Sequence, residues 1–137
     1  MSNQLVKPIS VFLVGIAIIT VIAGGLLGVP QYYSLARNAQ STIGKVTQKE
    51  QTNHESVWFQ YQVEGEDLLA AGRAEDVDRT FDSIQIGESL PVSYDATDHN
   101  MAVLGSRPNK YLYSSLEGVG VVFIGLIFCV IAYLLRR

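Results

Sequence analysis

Cysteine is almost missing from this 137-residue chain, Cys129 being the only one. A disulfide within the chain is therefore excluded, and cysteine usage says nothing about redox compartment. Histidine is nearly as scarce: His54 and His99 are the only two, and a zinc site would need further His or Cys ligands beside them. Basic residues are outnumbered, ten Lys and Arg against thirteen Asp and Glu. An acid excess suits neither nucleic acid nor an anionic membrane surface, so no nucleic-acid partner is expected. No Ser/His/Asp arrangement, nucleophile elbow or phosphate-cradling loop can be drawn through the chain. The sequence therefore reads as non-enzymatic, with no cofactor and no metal.

Charge is absent from two long stretches, and here the sequence becomes informative. PISVFLVGIAIITVIAGGLLGV (Pro8 to Val29) and GVGVVFIGLIFCVIAYLL (Gly118 to Leu135) contain no charged residue. A hydrocarbon core of about 30 Å takes roughly 20 helical residues, which both stretches supply once flanking residues are counted. Backbone polar groups in lipid must be satisfied within the segment, so both are expected to be transmembrane helices. The first is too long for the roughly 7–15-residue core of a signal peptide, and no small-x-small cleavage site follows Pro30. An autonomous pore is not expected, because a channel or transporter usually places polar groups at mid-membrane.

The expected organisation is a tail (1–7), a first span (8–29), a β-domain with short linkers (30–113), a second span (114–135) and a tail (136–137). Lys7, Arg136 and Arg137 make the tails basic, while Pro30 to Glu117 carries all thirteen acids and a net charge of −6. By the positive-inside rule both termini lie in the cytoplasm, and the β-domain faces the periplasm or exterior of a cell (inner or plasma) membrane. Tyr32 and Tyr33 after the first span, with Tyr111 and Tyr113 before the second, read as an interfacial aromatic belt. Ser114 with Glu117 three residues on has capping-box spacing, which predicts a helix start there.

Between the spans the pattern is β. In SVWFQYQV, Val57, Phe59, Tyr61 and Val63 alternate with Ser56, Trp58, Gln60 and Gln62, as in a half-buried strand. The turn Glu64–Asp67 leads into LLAAGR, a return strand. Thr42–Gln48, Leu90 to Tyr94 and Met101–Leu104 complete about five short strands, and Val77, Phe81 and Ile84 suggest a helical turn or two. The expected fold is membrane α plus β: two transmembrane helices flanking a small, mostly-β barrel or sandwich of about five strands.

The order of features supplies a resemblance. A membrane helix precedes a G-x-V strand start (Gly44, Val46), an aromatic-alternating strand ending at Gly65, and then IGESLPVSYDATDHNMAVLG close before the second helix. This resembles the bacterial family catalogued as domain of unknown function 3592, whose hallmark is vGd-x-v-x-V-x-Y-D-P-x-(D/N)-P-x-x-A. Gly87, Val92, Tyr94, Asp95, Asp98 and Ala102 match it, whereas Ala96 and His99 replace the usual prolines. The resemblance implies a two-helix membrane protein with a small β-domain and no established activity.

Four groups of residues are candidates for function. Asp95, Asp98, His99 and Asn100 crowd into DATDHN, but they fit no EF-hand spacing, and Asx residues gather at hairpin tips for backbone reasons. The acids of EDVDRTFD (Glu75–Asp82) fall beside helically spaced apolar residues and read as a solvated face. Gly24 and Gly28 in the first span, and Gly118 and Gly125 in the second, are small residues that let helix backbones approach, either within the chain or against a partner. Trp58 lies on the polar parity of its strand, so it is either core or a contact surface. The expected partners are the lipid bilayer and another integral membrane protein or complex, making the chain an accessory or assembly subunit; the alternative is an extracytoplasmic ligand-sensing or envelope-binding module.

Overall fold

A computed structural model describes residues 3–52 and 54–136, with side chains described from residue 10 onward. The elements are α1 (Asn3–Leu26), α2 (Val29–Asn38), β1 (Ala39–Glu50), β2 (Ser56–Val63), β3 (Glu66–Arg73), β4 (Ser89–Asp95), β5 (Asp98–Leu104) and α3 (Asn109–Leu135), with 3-10 turns at Ala74–Val77 and Phe81–Ser83. They fall into two compact units, residues 31–111 and the two flanking segments 1–30 and 112–137.

The first unit is a barrel-like antiparallel sheet in the order β3-β2-β1-β4-β5. Its interior follows from strand parity. Val57, Phe59, Tyr61 and Val63 of β2 are buried together with Val46 of β1, Leu90 and Val92 of β4, and Leu104 of β5. Removing each such side chain from water contributes about 1.5–3 kcal/mol. Gly44 faces this interior closely: an added Cβ would come within 2.7 Å of Val92 and 3.1 Å of Phe59. The β2–β3 hairpin closes through Glu64 (φ 52°) and Gly65 (φ 89°), the left-handed pair that a two-residue turn requires. Glu66 and Asp67, expected in that turn, already belong to β3.

The two edge strands meet without joining. β3 and β5 share no ladder, but Gly72 lies against Leu104, whose side chain would be 3.0–3.1 Å from an added Cβ. The Tyr61 hydroxyl donates to the His99 carbonyl of β5 at 2.5 Å. Side chains thus close a seam that backbone hydrogen bonds leave open. Elsewhere Lys49 holds down the β3–β4 connection, donating to the Ile84 carbonyl at 2.7 Å with its ammonium 4.4 Å from the Phe81 ring centroid.

The segment expected to be a linker after the first span is a helix. α1 ends at Leu26, Gly28 turns the chain with φ 72°, and α2 starts at Val29. Pro30 occupies the first turn of this new helix, where its missing N–H costs nothing. Leu35 of α2 and Val103 of β5 are both buried, yet neither belongs to the interior cluster. A second correction concerns α3, which starts at Asn109 directly after Pro108. Ser114 and Glu117 are therefore mid-helix and form no capping box.

The second unit contains α1 and α3. α3 is long and apolar enough to cross a membrane; α1 meets the same criterion only when taken together with α2 as a bent pair, among the described residues. Both helices carry large apolar side chains on their exteriors, Val11, Val21, Val121 and Phe128 each being more than 60% exposed. Met1, Ser2 and Arg137 of the expected tails lie outside the described residues.

Candidate functional site

The DATDHN cluster is a hairpin tip. Asp95 and Asp98 face one another across β4 and β5, leaving Ala96 and Thr97 as the turn. The Asp95 Oδ1 accepts from the Thr97 amide at 2.8 Å and the Thr97 hydroxyl at 2.7 Å, and Asp98 accepts from the Asn100 amide at 3.2 Å. These are Asx bonds, the backbone reason for such residues in turns. Asp95 is nonetheless 1% exposed, and its Oδ2 has no hydrogen-bond partner among the described residues. Burial opposes its charge, but the Ser34 and Thr97 side chains and the Thr97 and Asp98 amides outweigh that and hold the carboxyl below the usual range.

The acidic stretch 75–82 is not uniformly solvated. Asp76 is 8% exposed and collects three donors. They are the Arg73 amide at 3.0 Å, the Lys110 ammonium at 2.9 Å and the Tyr111 hydroxyl. Tyr111 in turn stacks on Tyr32 of α2, with ring centroids 5.3 Å apart and planes 17° from parallel. Two of the four tyrosines assigned to a belt are thus packed together in the barrel unit. Tyr33 and Tyr113 are 55% and 63% exposed. Glu88, further along the same connection, is held below the usual carboxylate range by the Gln85 amide and by Arg79, its ion-pair partner.

The glycines of the helix unit divide. A Cβ on Gly24 would lie 3.9 Å from Val119, and one on Gly118 would lie 3.0 Å from Leu27. Ser115 donates to the Leu27 carbonyl at 2.8 Å beside them. Gly125 has nothing within 4 Å of its added Cβ, and Gly28 serves the turn at φ 72°. Gly24 of α1 thus faces Val119 of α3, and Gly118 of α3 faces Leu27 in the turn after α1, rather than glycine meeting glycine. Toward the other end, where Phe12 and Tyr133 meet at 5.4 Å, the helices enclose an apolar crevice of about 420 Å³ lined by Gly15, Ile16, Leu126 and Cys129 among others.

Trp58 is half-buried on the outer parity of β2, and its indole N–H lies 3.4 Å from a Glu50 carboxylate oxygen. Farther along the same outer surface, Ile43 and Leu69 are 64% and 60% exposed, and an open depression of about 370 Å³ runs past Ile43, Lys45, Gln60 and Gln62. Among the described residues no group of three His, Cys, Asp or Glu side chains is placed to hold a metal ion. Sequence reading missed Asp76 because its partners lie 34 and 35 residues away; the burial that marks it has no local signature. Comparison with family models, with curated proteins and with solved structures returns no match.

Proposed function

We propose that the chain is a non-enzymatic, two-pass membrane protein that holds other membrane proteins through its helices and its small barrel, as an accessory or assembly subunit. The observation that carries the reading is the apolar exterior of α1 and α3, with Val11, Val21, Val121 and Phe128 open to the surroundings. Apolar surface of that extent is costly in water and costs nothing against lipid tails. On this reading α1 is the first span and α3 the second, the termini are cytoplasmic, and the acidic barrel lies on the periplasmic or extracellular side of the cell membrane. The resemblance to the family catalogued as domain of unknown function 3592 belongs to the same proposal.

Partner contact is assigned to the helix faces left free by the Gly24 and Gly118 packing and to the outer barrel surface that includes Trp58. The second reading, a ligand-sensing or envelope-binding module, draws on the open depression beside Ile43 and Gln60. Extraction of the tagged full chain in mild detergent, followed by native mass spectrometry, separates the two. A stoichiometric membrane complex supports the subunit reading. A partner-free chain whose barrel is thermally stabilised by an envelope component contradicts it and favours the second.

A further inference from the structure

The connection from β5 to α3 is fastened to the barrel at three places of unequal strength. At its start, the Gly105 amide donates to the Pro91 carbonyl and the Ser93 hydroxyl donates to the Gly105 carbonyl, both at 2.7 Å. Gly105 adopts φ 86°, and a Cβ there would collide with the Asp76 carbonyl oxygen. In the middle, Arg107 pairs with Asp78 at 3.1 Å, but both side chains are about 70% exposed, and such pairs hold little. At its end, Lys110 and Tyr111 converge on Asp76, whose side chain is only 4% exposed.

The third fastening differs in kind from the others. A buried carboxylate deprived of donors is strongly disfavoured, so the Lys110 and Tyr111 contacts on Asp76 act as a pair, while the Arg73 amide stays with the barrel. None of the donors comes from β1 or β2: they come from Arg73 at the end of β3 and from the first turn of α3.

We propose that Asp76 is a latch: it locks residues 106–111 onto the barrel, and when it opens, this segment swings about Gly105 while the barrel stays folded. Gly105, held by the Pro91 carbonyl and the Ser93 hydroxyl and free of side-chain bulk, is the hinge. The first turn of α3 then has two states, docked through Asp76 or free of it, which is the bistable element a conformational device needs. The proposal rests on contacts inside the barrel unit and is independent of the membrane reading.

Hydrogen exchange read by mass spectrometry on the full chain in mild detergent tests it. In Asp76→Asn, amides 106–111 exchange at least tenfold faster than in the parent, while β1 and β2 amides keep their rates. Tyr111→Phe keeps the ring on Tyr32 and removes only the hydroxyl; it gives the same pattern with a severalfold change, and serves if Asp76→Asn does not fold. Tyr111→Phe added to Asp76→Asn changes nothing further. The latch is overturned if 106–111 exchange unchanged in both variants, or if β2 accelerates together with them, since Asp76 would then act only through the stability of the whole barrel.

Discussion

The Tyr61 hydroxyl of β2 donates to the His99 carbonyl of β5 across a seam where β3 and β5 form no ladder. A carbonyl of edge strand β5 is thereby paired by a side chain from the barrel interior. Tyr61 is consequently more than a core aromatic: its ring fills the interior beside Phe59, and its oxygen closes the wall.

Tyr61→Phe isolates the second role. It retains the ring and should cost about 0.5–1.5 kcal/mol, the net worth of a partly buried hydrogen bond. Chemical denaturation of the full chain in detergent gives the number. Hydrogen exchange should locate the effect in β3 and β5, and an effect spread evenly over all strands would contradict the seam assignment.

Gly44 and Gly105 should tolerate alanine badly for different reasons. At Gly44 the methyl meets Val92 and Phe59 inside the barrel, and overpacking of this sort costs roughly 1–3 kcal/mol. At Gly105 the methyl meets backbone oxygen at φ 86°, and the strain of a left-handed residue adds roughly 1–3 kcal/mol. Melting temperatures of the two variants should both fall by several degrees. Gly65→Ala, with open space around it but φ 89°, should fall less than Gly105→Ala.

Asp95 predicts an acid limb in barrel stability. Its folded pKa lies below its unfolded value, so the ionised carboxyl contributes stability that is fully present above the unfolded pKa of about 3.9. That contribution is lost as pH falls below this value through the folded pKa. Thermal melts between about pH 5 and pH 2 should show the limb, and Asp95→Asn should flatten it. An unchanged acid limb in the variant would assign the effect to other carboxylates.

The helix unit offers a paired comparison. Gly118→Leu should loosen the contact with Leu27, whereas Gly125→Leu should be accepted, because space surrounds that position. Cross-linking yield between cysteines introduced at Phe12 and Tyr133, which meet at 5.4 Å, in a Cys129→Ser background, measures both. Equal loss in the two variants would contradict the packing described.

Much of the barrel was legible because burial in a strand repeats every second residue. Ser56–Val63 was bounded correctly from the alternation of Val57, Phe59, Tyr61 and Val63 alone. The hairpin at Asp95–Asp98 was equally readable, since Asx side chains bond locally. α2 was not, because Pro30 carries the same letter whether it ends one helix or opens the next; the difference lies in the turn at Gly28. Ser114 and Glu117 have the spacing of a cap but follow a helix already begun after Pro108. Asp76 was read as one acid among several on a wet face. Its burial depends on Lys110 and Tyr111, and pairing over such a distance leaves no periodic trace.

In the proposed arrangement α1 and α3 carry the barrel on the outer side of the cell membrane. The most direct measurement places a single cysteine at exposed Asp67 of β3 in a Cys129→Ser background and treats spheroplasts with a membrane-impermeant maleimide. The account predicts that the protein sediments with membranes after alkaline wash and is labelled while the spheroplasts are intact. Labelling only after lysis, or recovery of the chain in the soluble fraction, would contradict it.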